Sequence, residues 1–548
     1  MYNYGKTAIN INFNKHRFVD SKKKLYVILG VLTVIILLFA SYFSLTPINY
    51  QSGALRFLLI LLCLIWSVPL WVRYNNPTKN KPFKKNPFFI FLAAAIFLFA
   101  LNIILGISSS PLFIASNYRN LISVKDNNTF ETSVEDYTTM QIPVVDKDLA
   151  AKLGDKKLGE DNLGSQFNVG SYTMINYKSN LYWVAPIEFN GFFPWVNRRV
   201  SPGYVLINAN DQSDVQIIKT ELQYTESSYF WNDLQRENYY SNVKFMREEA
   251  PHLEIDDDGN PMYIESVYVH RFGLVNGLDV EGVIITDPVN GKAQYYKTAN
   301  VPSWVDHIQS EEVVLDQLNY WGKYVNGFFN SLFAKKDMLE VSTGVNYVYS
   351  NGQMYLQTGM TSVGSDESIV GVMMVDMRSK QALFSRIGGA TEYAGAQSAI
   401  GAEQSMKFSA SDPIMINVSG IPTYFLLLKD NEGLVKRYAY VNVKDYTLVV
   451  TNVDKTAALA DYKARVLGTH DTNGTEYTIS AIEKVIFGGE TYFYIKFEQN
   501  ADSVEGFAAE VFKAPVTLSD ELPFVKAGDK VKIIYNSDNV ITSLVVEK

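Results

Sequence analysis

Three long apolar runs fill the first fifth of this chain and constrain its fold more than any other feature. Leu25 to Leu45 reads LYVILGVLTVIILLFASYFSL without a charge, enough to cross a hydrocarbon core of roughly 30 Å as a helix. Phe57 to Val72 is shorter and carries Pro69, with Trp66, Trp71 and Arg73 giving it an interfacial end. Phe88 to Ile107 is again uncharged. The first run lacks a small-residue cleavage site and is followed by two more, so it reads as an anchor rather than a signal peptide. The expectation is three transmembrane helices, 25–45, 57–72 and 88–107.

Lysine and arginine set the orientation. Lys6, Lys15, Arg17, Lys22, Lys23 and Lys24 precede the first run, and Arg73, Lys79, Lys81, Lys84 and Lys85 lie between the second and third. The loop Thr46 to Ala54 has neither residue type. Basic loops stay in the cytoplasm, which places residues 1–24 inside and everything after Ile107 outside the plasma membrane. Residues 1–107 carry a net +11, leaving −19 for the other 441 residues. That balance excludes a nucleic-acid partner for the exterior part and suits a soluble body. The lone cysteine, Cys63, falls in the second run, so the exterior part can form no disulfide.

Residues 108–165 read as a lead-in with one short helix from Asp146 to Leu158. Residues 166–455 hold four copies of one pattern. A turn leads to a tyrosine that opens a strand; a second apolar strand ends in Asn or Asp; a third strand follows. The tyrosines are Tyr182, Tyr263, Tyr355 and Tyr424, and the matching polar residues are Asn208, Asp287, Asp376 and Asn442. The two sets advance together along the chain. Asn and Asp suit such positions because their side chains cap the turn that reverses the strand. Helices are expected over Pro302 to Phe333, with Ser310 able to restart it as a cap, and over the alanine-rich Gly389 to Met406. Residues 460–548 alternate densely and read as a small OB- or SH3-like β-barrel. The fold class expected is a membrane-anchored α+β chain.

The turns Asp287-Pro288-Val289-Asn290-Gly291-Lys292 and Asp376-Met377-Arg378-Ser379 resemble those of PepSY envelope modules, which implies a helix packed on an antiparallel meander. Over roughly residues 115–455, the phrases IPVVDKDLAAKLGDKKLGE, FFPWVN, EIDDDGNPMY, TDPVNGKAQYY and IPTYFLLLKDNEGLVKRYAYVNVKDY resemble a family of large membrane proteins of Gram-positive bacteria, loosely labelled as cell-shape or envelope proteins. The resemblance implies an N-terminal anchor and an exterior β-rich body, and it supplies no catalytic residues.

Motifs for chemistry are sparse. His16, His252, His270, His307 and His470 lack metal-ligand spacing and read as surface residues. Asp256-Asp257-Asp258-Gly259 lacks the alternate carboxylates of a calcium loop and reads as a hairpin turn. Ser241-x-x-Lys244 and Ser537-Asp538-Asn539 match two penicillin-binding signatures, but no K-T-G follows. No catalytic, cofactor or metal residue is assigned. The candidate partner-binding residues are Phe192, Phe193, Trp195, Arg198 and Arg199, since aromatic anchors beside arginine make binding hot spots; core filling is the competing reading. The function expected is a non-enzymatic envelope scaffold or binding protein, held by the lipid bilayer and meeting other envelope proteins, with regulation of wall synthesis or of an exported peptidase as the role in view. The alternatives are an enzyme acting on wall polymers through scattered carboxylates and a subunit of a transport complex. No apolar run carries a central charge, which disfavours transport.

Overall fold

The computed structural model describes residues 13–74, 89–134, 142–350, 352–364, 368–467, 475–487, 490–498, 511–519, 522–535 and 539–546. Lys6, the loop residues Lys79, Lys81, Lys84 and Lys85, His470 and the Ser537-Asp538 pair lie outside them.

Helices α1 (Phe13–Tyr42), α2 (Gly53–Tyr74) and α3 (Phe89–Ser108) pack as an antiparallel cluster, α2 lying along α3. Two stretches, Lys23–Tyr42 and Phe89–Ser108, are long and apolar enough to cross a membrane, and only 11% and 6% of them are buried against protein. The expectation of three such spans is corrected to two. Among the described residues the apolar stretch of α2 covers Gly53–Pro69; Arg56 in its first turn donates to Asn102 Oδ1 at 2.6 Å and to the Leu274 carbonyl at 3.1 Å. Helix α1 ends three residues before its apolar run does. Leu45 turns left-handed (φ 43°), and the Thr46 N–H reaches back to the Ala40 carbonyl at 2.9 Å.

After α4 (Pro111–Arg119), strand β1 (Ser123–Asn128), turn α5 (Phe130–Ser133) and α6 (Lys147–Glu160), the chain builds four antiparallel meanders. Blade 1 comprises β2 (Phe167–Val169), β3 (Thr173–Tyr177), β4 (Asn180–Phe189), the short helix α7 (Phe192–Arg198), β5 (Ser201–Asn208) and β6 (Val215–Leu222). Helix α8 (Leu234–Ser241) leads to blade 2, made of β7 (His252–Ile255), β8 (Pro261–Phe272), β9 (Asn276–Thr286) and β10 (Ala293–Lys297). Helices α9 (Glu311–Lys323) and α10 (Gly327–Leu332) precede blade 3, made of β11 (Leu339–Ser350), β12 (Gln353–Ser362), β13 (Ser368–Asp376) and β14 (Gln381–Ala390). Helix α11 (Glu392–Ala402) precedes blade 4, made of β15 (Ser409–Ala410), β16 (Ile414–Val418), β17 (Ile421–Lys429), β18 (Val435–Asn442) and β19 (Val449–Asn452); α12 (Lys455–Leu467) follows. Strand β1 adds in parallel to the outer edge of blade 3 at β14, covering an otherwise open edge.

The repeated landmarks do the same work in every blade. Tyr182 faces Asn208 and Tyr355 faces Asp376; Tyr263 and Tyr424 face Thr286 and Val441, each one residue short of the landmark. The Oδ1 atoms of Asn208, Asp287, Asp376 and Asn442 accept from the N–H two residues on, at 2.8–2.9 Å. These are Asx turns, which replace a missing backbone partner at the strand reversal. The helices begin on caps: Asp146 accepts from the Leu149 N–H at 2.9 Å, Ser310 from that of Val313 at 3.2 Å and Thr391 from that of Ala394 at 3.2 Å. The helix expected from Pro302 thus starts at Ser310, with an irregular segment ahead of it.

Each blade packs on the next. Ile175, Val184 and Tyr204 of blade 1 share a core with Leu253, Ile255 and Tyr263 of blade 2. Helix α9 wedges between blades 2 and 3: Val313 and the preceding Val305 and Ile308 face blade 2, while Val314, Leu318 and Trp321 face blade 3. Val348 and Ile369 of blade 3 join Ile416, Tyr424 and Leu426 of blade 4. Val144 and Val435 belong to both the blade 4 and blade 1 cores, so the series returns on itself. The innermost strands β3, β7, β11 and β16, with their flanks, line one central cavity. The result is a four-bladed ring in the manner of a small propeller.

The ring rests on the helix ends. The Ile48 N–H donates to the Val243 carbonyl (2.7 Å), the Tyr239 hydroxyl to the Thr46 carbonyl (2.9 Å), and Asn276 Nδ2 to Gly106 O (3.0 Å). Gln51 exchanges a reciprocal pair of bonds with the His270 backbone at 2.9 and 3.0 Å.

At the far end, strands β20 (Thr475–Phe487), β21 (Glu490–Phe497), β22 (Phe512–Pro515), β23 (Lys530–Tyr535) and β24 (Ile541–Val546) form a curled sheet in the order β22-β21-β20-β23-β24. The first part of β20 pairs with β23 and the rest with β21. Among the described residues the closed barrel expected here is not formed: the two edges meet in one parallel bridge, Lys513 to Val540.

If the Asx turns hold the reversals, Asp287→Ala and Asp376→Ala will each cost about 1 kcal/mol of stability, the usual net worth of such a bond. Asp376→Asn will retain most of it. Thermal unfolding of the full chain in detergent measures both.

Candidate functional site

The central cavity, about 680 Å³ in volume, takes walls from every blade. Tyr172 to Met174 come from blade 1, Glu249 to His252 from the lead into blade 2, Gln309 to Glu311 from the start of α9, Val345 to Tyr347 from β11, and Ser411, Asp412 and Lys429 from blade 4. Pro143 and Asp146 to Asp148 complete the rim. Carboxylates outnumber cations. Asp146, Asp148, Glu226, Glu249, Glu311 and Asp412 face the space, against Lys147 and Lys429. Lys429 is already engaged, with Nζ 2.5 Å from Asp146 and 3.8 Å from Asp148. The remaining field is negative.

A fully buried carboxylate, Glu254, ties one wall together. Its oxygens accept from the backbone N–H of Asp306 at 2.7 Å, from that of His307 at 3.0 Å and from His252 Nε2 at 3.0 Å. Burial alone would raise Glu254; the His252 bond, the two imidazoles and the Asp306 amide outweigh it and hold the carboxyl below its ordinary value. Neighbouring Asp306 goes the other way. Burial, then the charge on Glu254, push it well above the usual carboxylate range, although its Oδ2 accepts from the Asn176 N–H at 2.5 Å. The pair therefore shares one charge, carried by Glu254.

The imidazole of His307 packs edge-on to His252 (centroids 5.8 Å apart) and to Tyr347 (4.9 Å). Its Nε2–H donates to the Met174 carbonyl at 2.7 Å, which fixes the tautomer. Burial lowers the His307 pKa, so the ring is neutral. Tyr347 donates to Glu311 Oε2 at 2.6 Å, and the Ser310 hydroxyl to Glu249. Burial, and then the charge of Glu188, raise Glu226 to about 7. Asp412 is raised by burial and then by Asp146 and Asp148.

The aromatic loop singled out in the sequence lies elsewhere. Phe192, Phe193, Trp195, Arg198 and Arg199 fall on or beside α7 at the end of blade 1, none of them lining the cavity. They divide in two. Trp195 is 2% exposed and packs against Tyr229 and Phe230, with the Arg199 guanidinium 4.4 Å from its ring centroid. Phe193 is 82% exposed. The histidines depart from the surface reading: His307 is buried and meets His252, while His270 is half-buried and engaged through its backbone. Asp256 does close the β7–β8 hairpin, accepting from the N–H groups of Asp258 (3.0 Å) and Asn260 (2.7 Å). Glu254, His307 and Tyr347 carried no sequence signal of their own. Among the described residues, no group of three or more His, Cys, Asp or Glu side chains is placed to hold a metal ion.

No protein-family model and no curated protein matches the chain. Among solved structures, two mutants of a Synechocystis apocarotenoid oxygenase align over 51% of this chain at 7% and 8% identity, each with a TM-score of 0.13. A B. megaterium levansucrase mutant aligns over 78% at 8% identity with a TM-score of 0.18, covering 96% of that enzyme. The chain spans about half the length of the oxygenases (49% and 48%). At such scores none of these likenesses carries an argument about fold or activity.

The buried acids set a pH dependence. Asp306, Glu188, Glu265 and Glu392 all have raised values in the folded state, first through burial. Between the unfolded and folded values the native state binds more protons than the unfolded one, so stability falls as pH rises. The melting temperature of the full chain is expected to be higher at pH 5 than at pH 8. Asp306→Asn keeps the carbonyl that accepts from Asn176 and removes the titration. It will gain stability over the parent at pH 8 and flatten the profile, as melts across that range would show.

Proposed function

We propose that this chain is a non-enzymatic scaffold and binding protein of a Gram-positive cell envelope, whose central cavity holds an amine-bearing organic cation such as a lysine-containing peptide or a polyamine. One observation carries the reading: the segments around the ring bring six carboxylates, Asp146, Asp148, Glu226, Glu249, Glu311 and Asp412, to a single cavity whose buried cation, Lys429, is already paired with Asp146. A cationic guest gains from the negative field, and Tyr172 and Tyr347 stand among the lining residues. The N-terminal helices anchor the ring in the plasma membrane with the body outside, as the basic residues on the opposite side favour. Helix α2 lies along α3, and the end of α1, the start of α2 and the end of α3 all meet the body.

Calorimetric titration of the full chain in detergent with spermidine and with trilysine tests the proposal. Salt-sensitive binding is expected, weakened about tenfold or more by the double variant Glu249→Gln/Asp412→Asn, since each lost charge pair removes on the order of 1 kcal/mol. Absence of binding to both probes, beside retention of neutral wall glycan, would reverse it.

A second reading rests on Glu226. A carboxyl held to about 7 in a cavity that also contains Glu249 and Glu311 has the makings of the acid–carboxylate pair of glycoside hydrolysis. Release of reducing ends from purified peptidoglycan, abolished by Glu226→Gln, would establish that reading in place of the first.

A further inference from the structure

Around the helix ends the body carries apolar side chains that no other part of the protein covers. At the end of α1, the ring of Trp231 lies 6.2 Å from that of Tyr42, the last residue of the helix, and Arg236 sits 4.3 Å from the same tyrosine ring. Trp231 is 72% exposed, and beside it Phe230 and Phe192 lead on to Phe193. Between α1 and α2, Ile48 and Tyr50 project from the connecting turn. Past α3, α4 starts three residues after the helix ends, with Phe113 exposed in its first turn. Helix α10 packs on α4 and presents Phe329 and Phe333, the latter 80% exposed.

These three groups surround the helical cluster on the side where it enters the body. A soluble surface rarely gathers so many large exposed rings, whereas rings at the level of helix ends are what a membrane–water interface selects. The charge nearby agrees. The body as a whole is strongly acidic, yet Arg198 and Arg199 flank the first group and Lys335 and Lys336 follow Phe333.

We propose that the membrane-facing rim of the body is a lipid-binding platform, in which the aromatic groups around Phe193, Trp231, Tyr50 and Phe333 insert into the headgroup–acyl boundary of the adjacent leaflet while the neighbouring arginines and lysines meet lipid phosphates. The occupant is the bilayer that holds α1 to α3, because each group adjoins a helix end: Trp231 meets Tyr42 of α1, Ile48 and Tyr50 lie between α1 and α2, and α4, on which α10 packs, follows α3. This inference rests on the anchoring of those helices. It removes Phe192, Phe193, Arg198 and Arg199 from the surface offered to a protein partner and leaves Trp195 in the core.

The test uses the full chain with Cys63→Ser and single cysteines carrying an environment-sensitive fluorophore, reconstituted in phosphatidylcholine–phosphatidylglycerol nanodiscs whose lipids bear a shallow nitroxide quencher. Labels go on Phe193→Cys, Trp231→Cys and Phe333→Cys, on Ile96→Cys inside α3, and on Asp257→Cys at the far hairpin of blade 2. Variants that melt with the parent are compared. Quenching at the three rim positions at least ~3-fold above that at position 257 is expected, as for side chains at interfacial depth. Rim labels no more quenched than position 257, with position 96 quenched, would overturn the platform and leave the anchor standing. No quenching at position 96 would overturn both. Rim labels shielded in native membranes but open in nanodiscs would assign the surface to a protein and also overturn the proposal.

Discussion

Closure of the ring is the constraint on which the rest of this structure depends. A single four-stranded meander leaves its inner strand with one unpaired edge and an apolar face in water, which is marginal at best. Each blade solves this by packing on its neighbour, and the last gap, between blades 4 and 1, is filled by a segment that precedes blade 1 in the chain. The N–H groups of Val144 and Val145 share the Ala209 carbonyl at 2.8 and 3.0 Å, and Trp183 Nε1 donates to Val145 O at 2.7 Å. On the other side, Lys429 binds Asp146, and Lys152 Nζ donates to the Glu432 carbonyl at 2.6 Å. Asp146 serves twice, as the cap of α6 and as the counter-ion of Lys429. The clasp that closes the ring therefore also sets one corner of the cavity.

Four inner strands converging on one axis cannot fill the centre with aliphatic side chains alone, because their flanking loops bring unpaired backbone groups with them. Glu254 answers this by accepting two backbone N–H groups from the segment before α9, and His307 carries the connection on to the Met174 carbonyl of blade 1. The arrangement costs desolvation of a carboxylate, which its hydrogen bonds must offset. It also forces Asp306 to keep its proton, since two charges so close in a dry site repel strongly. Rigidity at the centre and a pH-dependent stability are two outcomes of one network.

The repeat was legible in sequence because three strands of each blade share a mechanical task. Every reversal from the third to the fourth strand needs an Asx turn, so Asn208, Asp287, Asp376 and Asn442 recur. The inner strands have no common task. TMINY, HLEI, LEVSTGVNYVYS and IMINV each face a different part of an irregular cavity, and beyond the Met-Ile-Asn common to the first and last they share no landmark. The site was hidden for that reason: His252 and His307 stand 55 positions apart and meet only when the segment before α9 folds over β7. In the aromatic loop, Phe193 and Trp195 are two positions apart on a helix, about 200° around its axis. One must face out when the other faces in, and a sequence without a known axis does not say which. The apolar runs were plain, whereas the partners of Arg56, Asn102 on α3 and the Leu274 carbonyl of the body, were not. The end domain showed its strands and not their closure, which turns on a single bridge at β22 and β24.

The two surfaces of the body are separated by the length of a strand, and this decides what each can bind. His252, on the cavity wall, pairs with Ile264 of β8, and β8 runs on to Phe272, whose ring packs on Tyr118 beside the end of α3. The eight steps from Ile264 to Phe272 span at most about 26 Å, and about 18 Å if the strand is inclined by 45°. A headgroup layer is only some 5–8 Å deep on each side of the hydrocarbon core. Under the proposed anchoring the cavity would therefore stand clear of lipid, and the rim would be the part that meets it. Because Gln51, Tyr239, Asn276 and Arg56 bond the body to the helix ends at several separate points, the ring has no swivel on its anchor. Were the proposed anchoring and the proposed guest both to hold, the guest would sit at a fixed height above the bilayer.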